Sequence, residues 1–205
     1  MKKIKSSLSY KIFYLVLLTV MVPLGAGFLH VDASAAEFST PTFGGGGGTR
    51  SYNLDCGRGS VMVGLINKSG SWLDAIGIIC RKVNAGTGQL GEEFTRGPVG
   101  GIGGTAKFEK CPSGAVMNTV KVQSGQFVNL LGHVCYNWDA GRKRPSGEFR
   151  DRNGNGAFVR AGKPCMLCSY SDKFICPTGK VAKALRGRYG GYIDSLRFVC
   201  DAWDQ

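Results

Sequence analysis

The chain of 205 residues is poor in the groups that carry most hydrolytic and redox chemistry. Beyond its first 36 residues there is a single histidine, His133. No G-x-S-x-G, no H-E-x-x-H and no paired-carboxylate spacing occurs, which argues against a serine nucleophile, a zinc-protease helix and two-carboxylate acid–base chemistry. Acidic residues number 14 against 26 lysines and arginines, a net charge of +12. A long 3.6-residue apolar period is also missing after residue 36, so extended amphipathic helices are not expected. These absences turn attention from catalysis to binding and architecture.

The N-terminus carries Lys2, Lys3, Lys5 and Lys11, then an apolar run from Ile12 to Leu29, then Ala33-Ser34-Ala35-Ala36. That order is the pattern of a secretory signal peptide, expected to span 1–36. An uncleaved membrane anchor is the alternative; Pro23, Gly25 and Gly27 count against it, and no stable membrane insertion is expected after cleavage. Removing four lysines and Asp32 with the leader lowers the net charge from +12 to +9. Basic residues gather at Arg142-Lys143-Arg144 and recur at Lys180, Lys183, Arg186 and Arg188, where a solvated loop and strand face account for them. An exported address argues against a nucleic-acid partner, although the charge alone would permit one. All eight cysteines follow residue 36, and an even count in an exported chain argues for disulfides.

Self-similarity organises the rest. Cys56–Cys80, Cys111–Cys135 and Cys176–Cys200 each frame 25 residues, and the three segments align without a gap. Gly59, Gly114 and Gly179 coincide, as do Leu65, Val120 and Leu185, and Gly70, Gly125 and Gly190. An aromatic follows two positions later each time (Trp72, Phe127, Tyr192), then Leu73, Val128 or Ile193, then Asp74, Asn129 or Asp194. Each unit reads as two strands, with a Gly-containing turn near residues 67–70, 122–125 and 187–190. A cysteine at each end of such a hairpin predicts the disulfides Cys56–Cys80, Cys111–Cys135 and Cys176–Cys200. His133 aligns with Ile78 and Phe198 and reads as a strand residue rather than a base or ligand; no metal or cofactor is expected.

Gly-rich runs precede the first two units, Gly44 to Gly48 and Gly100 to Gly104, and an aromatic follows each, Tyr52 and Phe108. Before the third unit Cys165-Met166-Leu167-Cys168 holds that place, which predicts a small Cys165–Cys168 disulfide turn. A redox reading of this C-x-x-C lacks the following helix and βαβ context. The polar segments between units, about 81–98 and 136–164, are expected to complete sheets. One hairpin cannot bury its apolar face alone, so the three repeats (about 41–81, 98–136 and 160–201) predict three antiparallel sheets about a pseudo-threefold axis, one all-β domain over 37–205.

Two motifs then point to a family. A GGxGG run followed by an aromatic, with Gly187-Arg188-x-Gly190-x-x-Ile193-Asp194-x-Leu196 before the closing strand, resembles the jacalin-related lectins. The resemblance implies a disulfide-stapled β-prism and a non-enzymatic, exported protein that binds hexose-containing glycans. The cysteine-framed hairpins, with C-x-x-C before the third, look more like vitelline membrane outer layer proteins, which share the prism. A structural envelope protein without sugar binding is therefore the alternative, and an accessory module using the basic side at Gly187 and Arg188 for a protein partner is a third reading. One departure from the lectin pattern is an aromatic after the second glycine run that comes one residue late.

The lectin resemblance assigns the sugar sites. In the first, Asp194 accepts two ring hydroxyls beside the amides of Tyr192 and Ile193, with Gly190 and Gly191 in the turn and Gly44, Gly45, Gly46 and Gly47 as the opposite wall. In the second, Asp74 acts with Gly70, Ser71, Trp72 and Leu73 against Gly101, Gly103 and Gly104. Turn amides that converge favour electronegative oxygens, a carboxylate is a strong hydroxyl acceptor, and an aromatic can cover a sugar's C–H face. Asn129 and the C-x-x-C leave the third copy without a site. Glycines that only shape turns, and aspartates that only cap their own backbone, are the plain alternative. A homo-oligomer would add avidity to weak sites.

Overall fold

The computed structural model describes residues 36–154 and 173–205, together with Gly156 and the backbone of 158–162 and 169–170. The leader, apart from Ala36, and the Cys165–Cys168 pairing lie outside the described residues. Every regular element among the described residues is a strand. In chain order they are β1 (Phe38–Ser39), β2 (Phe43–Gly44), β3 (Arg50–Asp55), β4 (Ser60–Ser69), β5 (Leu73–Val83), β6 (Leu90–Gly100), β7 (Thr105–Lys110), β8 (Ala115–Ser124), β9 (Val128–Asp139), β10 (Arg144–Glu148), β11 (Phe158–Gly162), β12 (Ser169–Tyr170), β13 (Phe174–Ile175), β14 (Val181–Tyr189) and β15 (Ile193–Asp201).

They form three antiparallel sheets. The first is ordered β1-β15-β14-β3, with β2 also on β15; the second is β6-β5-β4-β7; the third is β10-β9-β8-β12, with β11 on β9 and β13 on β8. The repeated hairpins β4–β5, β8–β9 and β14–β15 are the inner pair of each sheet. The last hairpin thus completes a sheet with the start of the described chain. The segments between repeats supply outer strands: β6 lies along β5, while β10 and β11 both lie along β9. Their polar composition suits strands that face water on one side.

Apolar residues at matching repeat positions meet in the centre. Leu65, Val120 and Leu185, then Leu73, Val128 and Ile193, then Ile76, Leu131 and Leu196 are all buried in one cluster. A second cluster gathers Val61, Val116 and Val181 with Val63, Ile66, Ile79 and Val83. One face of each hairpin is too little for a core; three faces converging on an axis bury one another.

Three sequence readings need correction. The turns fall at 70–72, 125–127 and 190–192, two to three residues later than expected, because the inner strands continue to Ser69, Ser124 and Tyr189. Each turn is closed from glycine N–H to aromatic carbonyl: Gly70 to Trp72, Gly125 to Phe127 and Gly190 to Tyr192, at 3.0–3.1 Å.

Tyr52 and Phe108 are not equivalent. Tyr52 pairs with Gly187, whereas Phe108 pairs with Ile66, one position along the repeat. A one-residue offset reverses the face of a strand. Tyr52 is 7% exposed, with its hydroxyl donating to Ser195 O at 3.0 Å, and Phe108 is 68% exposed.

The disulfides Cys56–Cys80, Cys111–Cys135 and Cys176–Cys200 are formed, but they do not tie the two strands of one hairpin together. The first cysteine of each pair continues an outer strand of the preceding sheet. Cys56 N–H donates to Lys183 O, Cys111 N–H to Val63 O and Cys176 N–H to Asn118 O, at 3.0, 2.8 and 2.9 Å. Each acceptor lies where the inner hairpin's register shifts, between 62 and 64, 117 and 119, and 182 and 184. The bulge turns a carbonyl toward the cysteine. Each bridge therefore joins one sheet to the next, and the three run around the whole prism.

Candidate functional site

The hairpin turns and the glycine loops meet at one end of the prism. Asp194 follows the turn of β14–β15, and its main-chain carbonyl accepts from Gly45 N–H at 3.0 Å. The same N–H also reaches Gln126 O at 3.2 Å, on the turn of the neighbouring repeat. Asp74, after the turn of β4–β5, holds the second loop in the same way, through Gly101 N–H at 2.7 Å. Both aspartates are buried, 5% and 7% exposed, beneath loops 44–48 and 100–104.

Glycine lets the loop lie close on the carboxylate. A Cβ on Gly47 would stand 2.5 Å from Asp194 Oδ1, and one on Gly103 would stand 2.7 Å from Asp74 Oδ1. Gly48 and Gly104 also have φ of +70° and +69°, a region that side chains with a Cβ rarely enter. A Cβ on Gly46 or Gly191, by contrast, would meet nothing within 4 Å. The carboxylate is thus roofed by bare backbone, with open space at Gly46 and Gly191.

The two aspartates differ in one respect. Asp74 Oδ2 accepts Gly70 N–H at 3.0 Å. Asp194 Oδ2 is closed to solvent and has no hydrogen-bond partner. A buried acceptor left without a donor is costly, and loop 44–48 covers this one without bonding to it.

Arg188, which in the sequence belongs to a basic face and to the motif before the closing strand, has a structural task here. Its guanidinium donates to Gly47 O and Gly48 O, at 2.7–3.2 Å, and so holds loop 44–48 from below. The repeat alignment puts Lys68 at the matching position, where the fork of donors that grips two carbonyls is not available.

The aromatics after each turn do not stand apart beside separate sites. Trp72, Phe127 and Tyr192 pack against one another in tilted and edge-to-face pairs: Trp72–Phe127, Trp72–Tyr192 and Phe127–Tyr192 have centroids 5.7, 4.9 and 5.2 Å apart. Trp72 remains 40% exposed at this tip. Asn129 serves the cluster: with its amide oriented to satisfy both bonds, it donates to Phe127 O at 3.0 Å and accepts from Trp72 Nε1 at 3.2 Å. The repeat that lacks an aspartate therefore uses that position to fix the aromatic tip. Ser71, Leu73 and Ile193 lie beside these groups: Ser71 is exposed in its turn, while Leu73 and Ile193 point into the central cluster.

His133 lies deep in the fold, fully buried, and neither ring nitrogen has a hydrogen-bond partner. Burial pushes its pKa down to about 4. One of its nitrogens and the sulfurs of Cys111 and Cys135 all lie within 4.8 Å of one another, the one such grouping among the described residues. The sequence signal was available: a lone polar residue where the other repeats hold isoleucine and phenylalanine.

No family model matches the sequence, and no curated protein matches it either. Solved structures do match. Artocarpin complexed with methyl-α-mannose superposes with a TM-score of 0.55 at 12% identity, over 82% of this chain and 99% of that one. A lamprey immune protein gives 0.51 at 15% identity, over 80% of this chain and 44% of that one. Malaysian banana lectin gives 0.49 at 18% identity, over 82% and 99%. At such identities the likeness is one of fold: three antiparallel sheets in the β-prism of jacalin-related lectins.

Proposed function

We propose that the protein is an exported, non-enzymatic lectin that binds hexose-containing glycans at two sites, one at Asp194 with loop 44–48 and one at Asp74 with loop 100–104. The observation that carries this reading is the carboxylate set against a glycine loop at the tip of the prism, found twice. Vicinal hydroxyls of a hexose are donors that a carboxylate accepts, and the backbone at Gly46 and Gly191 is open on its outer side. Artocarpin, solved with methyl-α-mannose, makes mannosides the first sugars to try. A millimolar constant is about −4 kcal/mol, so at that affinity paired sites or a homo-oligomer would act through avidity.

The test is a glycan array followed by calorimetry with methyl-α-mannoside and the best array sugar. Wild type is expected to bind, Asp194→Asn and Asp74→Asn each to lose one site, and the double variant to lose both. Binding that survives the double substitution, or the absence of any retained sugar, refutes the lectin reading. The latter outcome would favour the structural envelope reading, which the sheet-to-sheet disulfides support independently of any ligand.

A further inference from the structure

The disulfide Cys111–Cys135 has a neighbour that the other two lack. His133 lies beside it with both nitrogens unpartnered, where the matching positions hold Ile78 and Phe198. A fully buried imidazole with two idle nitrogens is uncommon, because each buried polar atom without a partner costs stability. The bridge is also the most approachable of the three. Cys111 is half-buried, whereas Cys56, Cys176 and the three partner cysteines are buried. It opens on a cleft of about 310 Å³ lined by Val63, Arg81, Glu93, Lys110, Pro112 and Ser113 among others. That cleft is an entry path for a small reductant and for an ion.

We propose that Cys111, Cys135 and His133 form a latent divalent-metal site, closed while the disulfide is intact and opened by its two-electron reduction. Two molecules of a thiol reductant break the S–S bond, leave as their own disulfide, and place one hydrogen on each protein sulfur. A zinc-like ion then displaces the two thiol protons and takes two thiolates and one imidazole nitrogen. Three protein ligands leave a fourth tetrahedral position for water, which the cleft beside Cys111 can supply. Around such an ion the ligand atoms stand about 3.5–3.8 Å apart, so a trio now within 4.8 Å needs side-chain adjustment rather than a new fold. Softness of the ligands favours zinc over magnesium or calcium.

The experiment uses limited phosphine reduction, since a phosphine does not compete strongly for the metal, with mass mapping to show that Cys111–Cys135 alone has opened. Cobalt(II) is the first probe and zinc the second. Reduced wild type is expected to take up one cobalt per chain with thiolate-to-metal charge-transfer absorption and tetrahedral visible bands. Oxidised wild type is expected to show neither. His133→Phe, which restores the residue of the third repeat, is expected to bind cobalt at least tenfold more weakly after the same reduction. Zinc should also slow reoxidation of this pair in wild type and not in His133→Phe. Equal cobalt binding by His133→Phe overturns the proposal. So does a reduced wild type that keeps its near-ultraviolet dichroism yet shows no charge-transfer band, and so does loss of the fold when this one bridge opens.

Discussion

Replacing His133 with isoleucine should make the protein more stable and less sensitive to acid. The ring is fully buried and its nitrogens are unpartnered, so at neutral pH it contributes a desolvation cost that Ile78 does not incur in the matching place. Removing that cost should stabilise by about 1–3 kcal/mol, reduced by whatever repacking the change of shape demands. The pH dependence follows from the folded value of about 4 against an unperturbed value of 6.5. Because folding favours the neutral ring, its stability contribution is complete above pH 6.5 and is lost as pH falls toward 4. The lost amount is about 2 kcal/mol by pH 5 and about 3 kcal/mol well below pH 4. Carboxylates titrate in both proteins, so the difference between them isolates the histidine. Urea unfolding of oxidised wild type and His133→Ile at pH 7.5 and 5.0 measures it. The gap should widen by about 2 kcal/mol on acidification. A gap that is the same at both pH values would show that the ring is hydrated or hydrogen-bonded, and the reasoning would fail.

Three further outcomes are expected. Gly47→Ala and Gly103→Ala should each abolish one sugar site by driving a methyl into Asp194 Oδ1 or Asp74 Oδ1, while Gly46→Ala, which meets open space, should leave binding within about twofold; calorimetry on the three variants decides it. Arg188→Ala should loosen loop 44–48 without touching loop 100–104, weakening the Asp194 site a few-fold and speeding amide exchange at Gly45 but not at Gly101; equal exchange at both would refute the clamp. Replacing Cys176 and Cys200 together with alanine should cost about 3.5 kcal/mol in the chain-entropy picture, read as a lowered urea midpoint, and no loss would mean that the sheets need no covalent link.

Much of the fold was legible because the repeats carry it. Identical spacing of Cys56–Cys80, Cys111–Cys135 and Cys176–Cys200 specified three equal hairpins, and the shared Leu65, Val120 and Leu185 specified a common core. What spacing could not convey was which partner each end would meet. The cysteines looked like hairpin ends, yet Cys56, Cys111 and Cys176 bond to bulge carbonyls of a neighbouring repeat, a long-range pairing with no local signature. Tyr52 and Phe108 looked alike because both follow a glycine run; a single extra residue before Tyr52 sends the two rings to opposite faces. At the candidate site, the aspartates and glycine loops were visible as motif and repeat. The aromatic trio and the role of Asn129 were not, because they arise only when three repeats converge on an axis.

The bridges that encircle the prism have a different meaning along the chain. Each begins and ends within one 25-residue repeat, so none of the three described disulfides connects one repeat covalently to the next. A single cut in the exposed turn at 84–87 would leave two pieces held by packing and hydrogen bonds alone. By the same logic, two copies could trade a whole repeat without opening any of the three bonds. The bridges that join sheet to sheet in space therefore present no redox barrier to exchange between molecules.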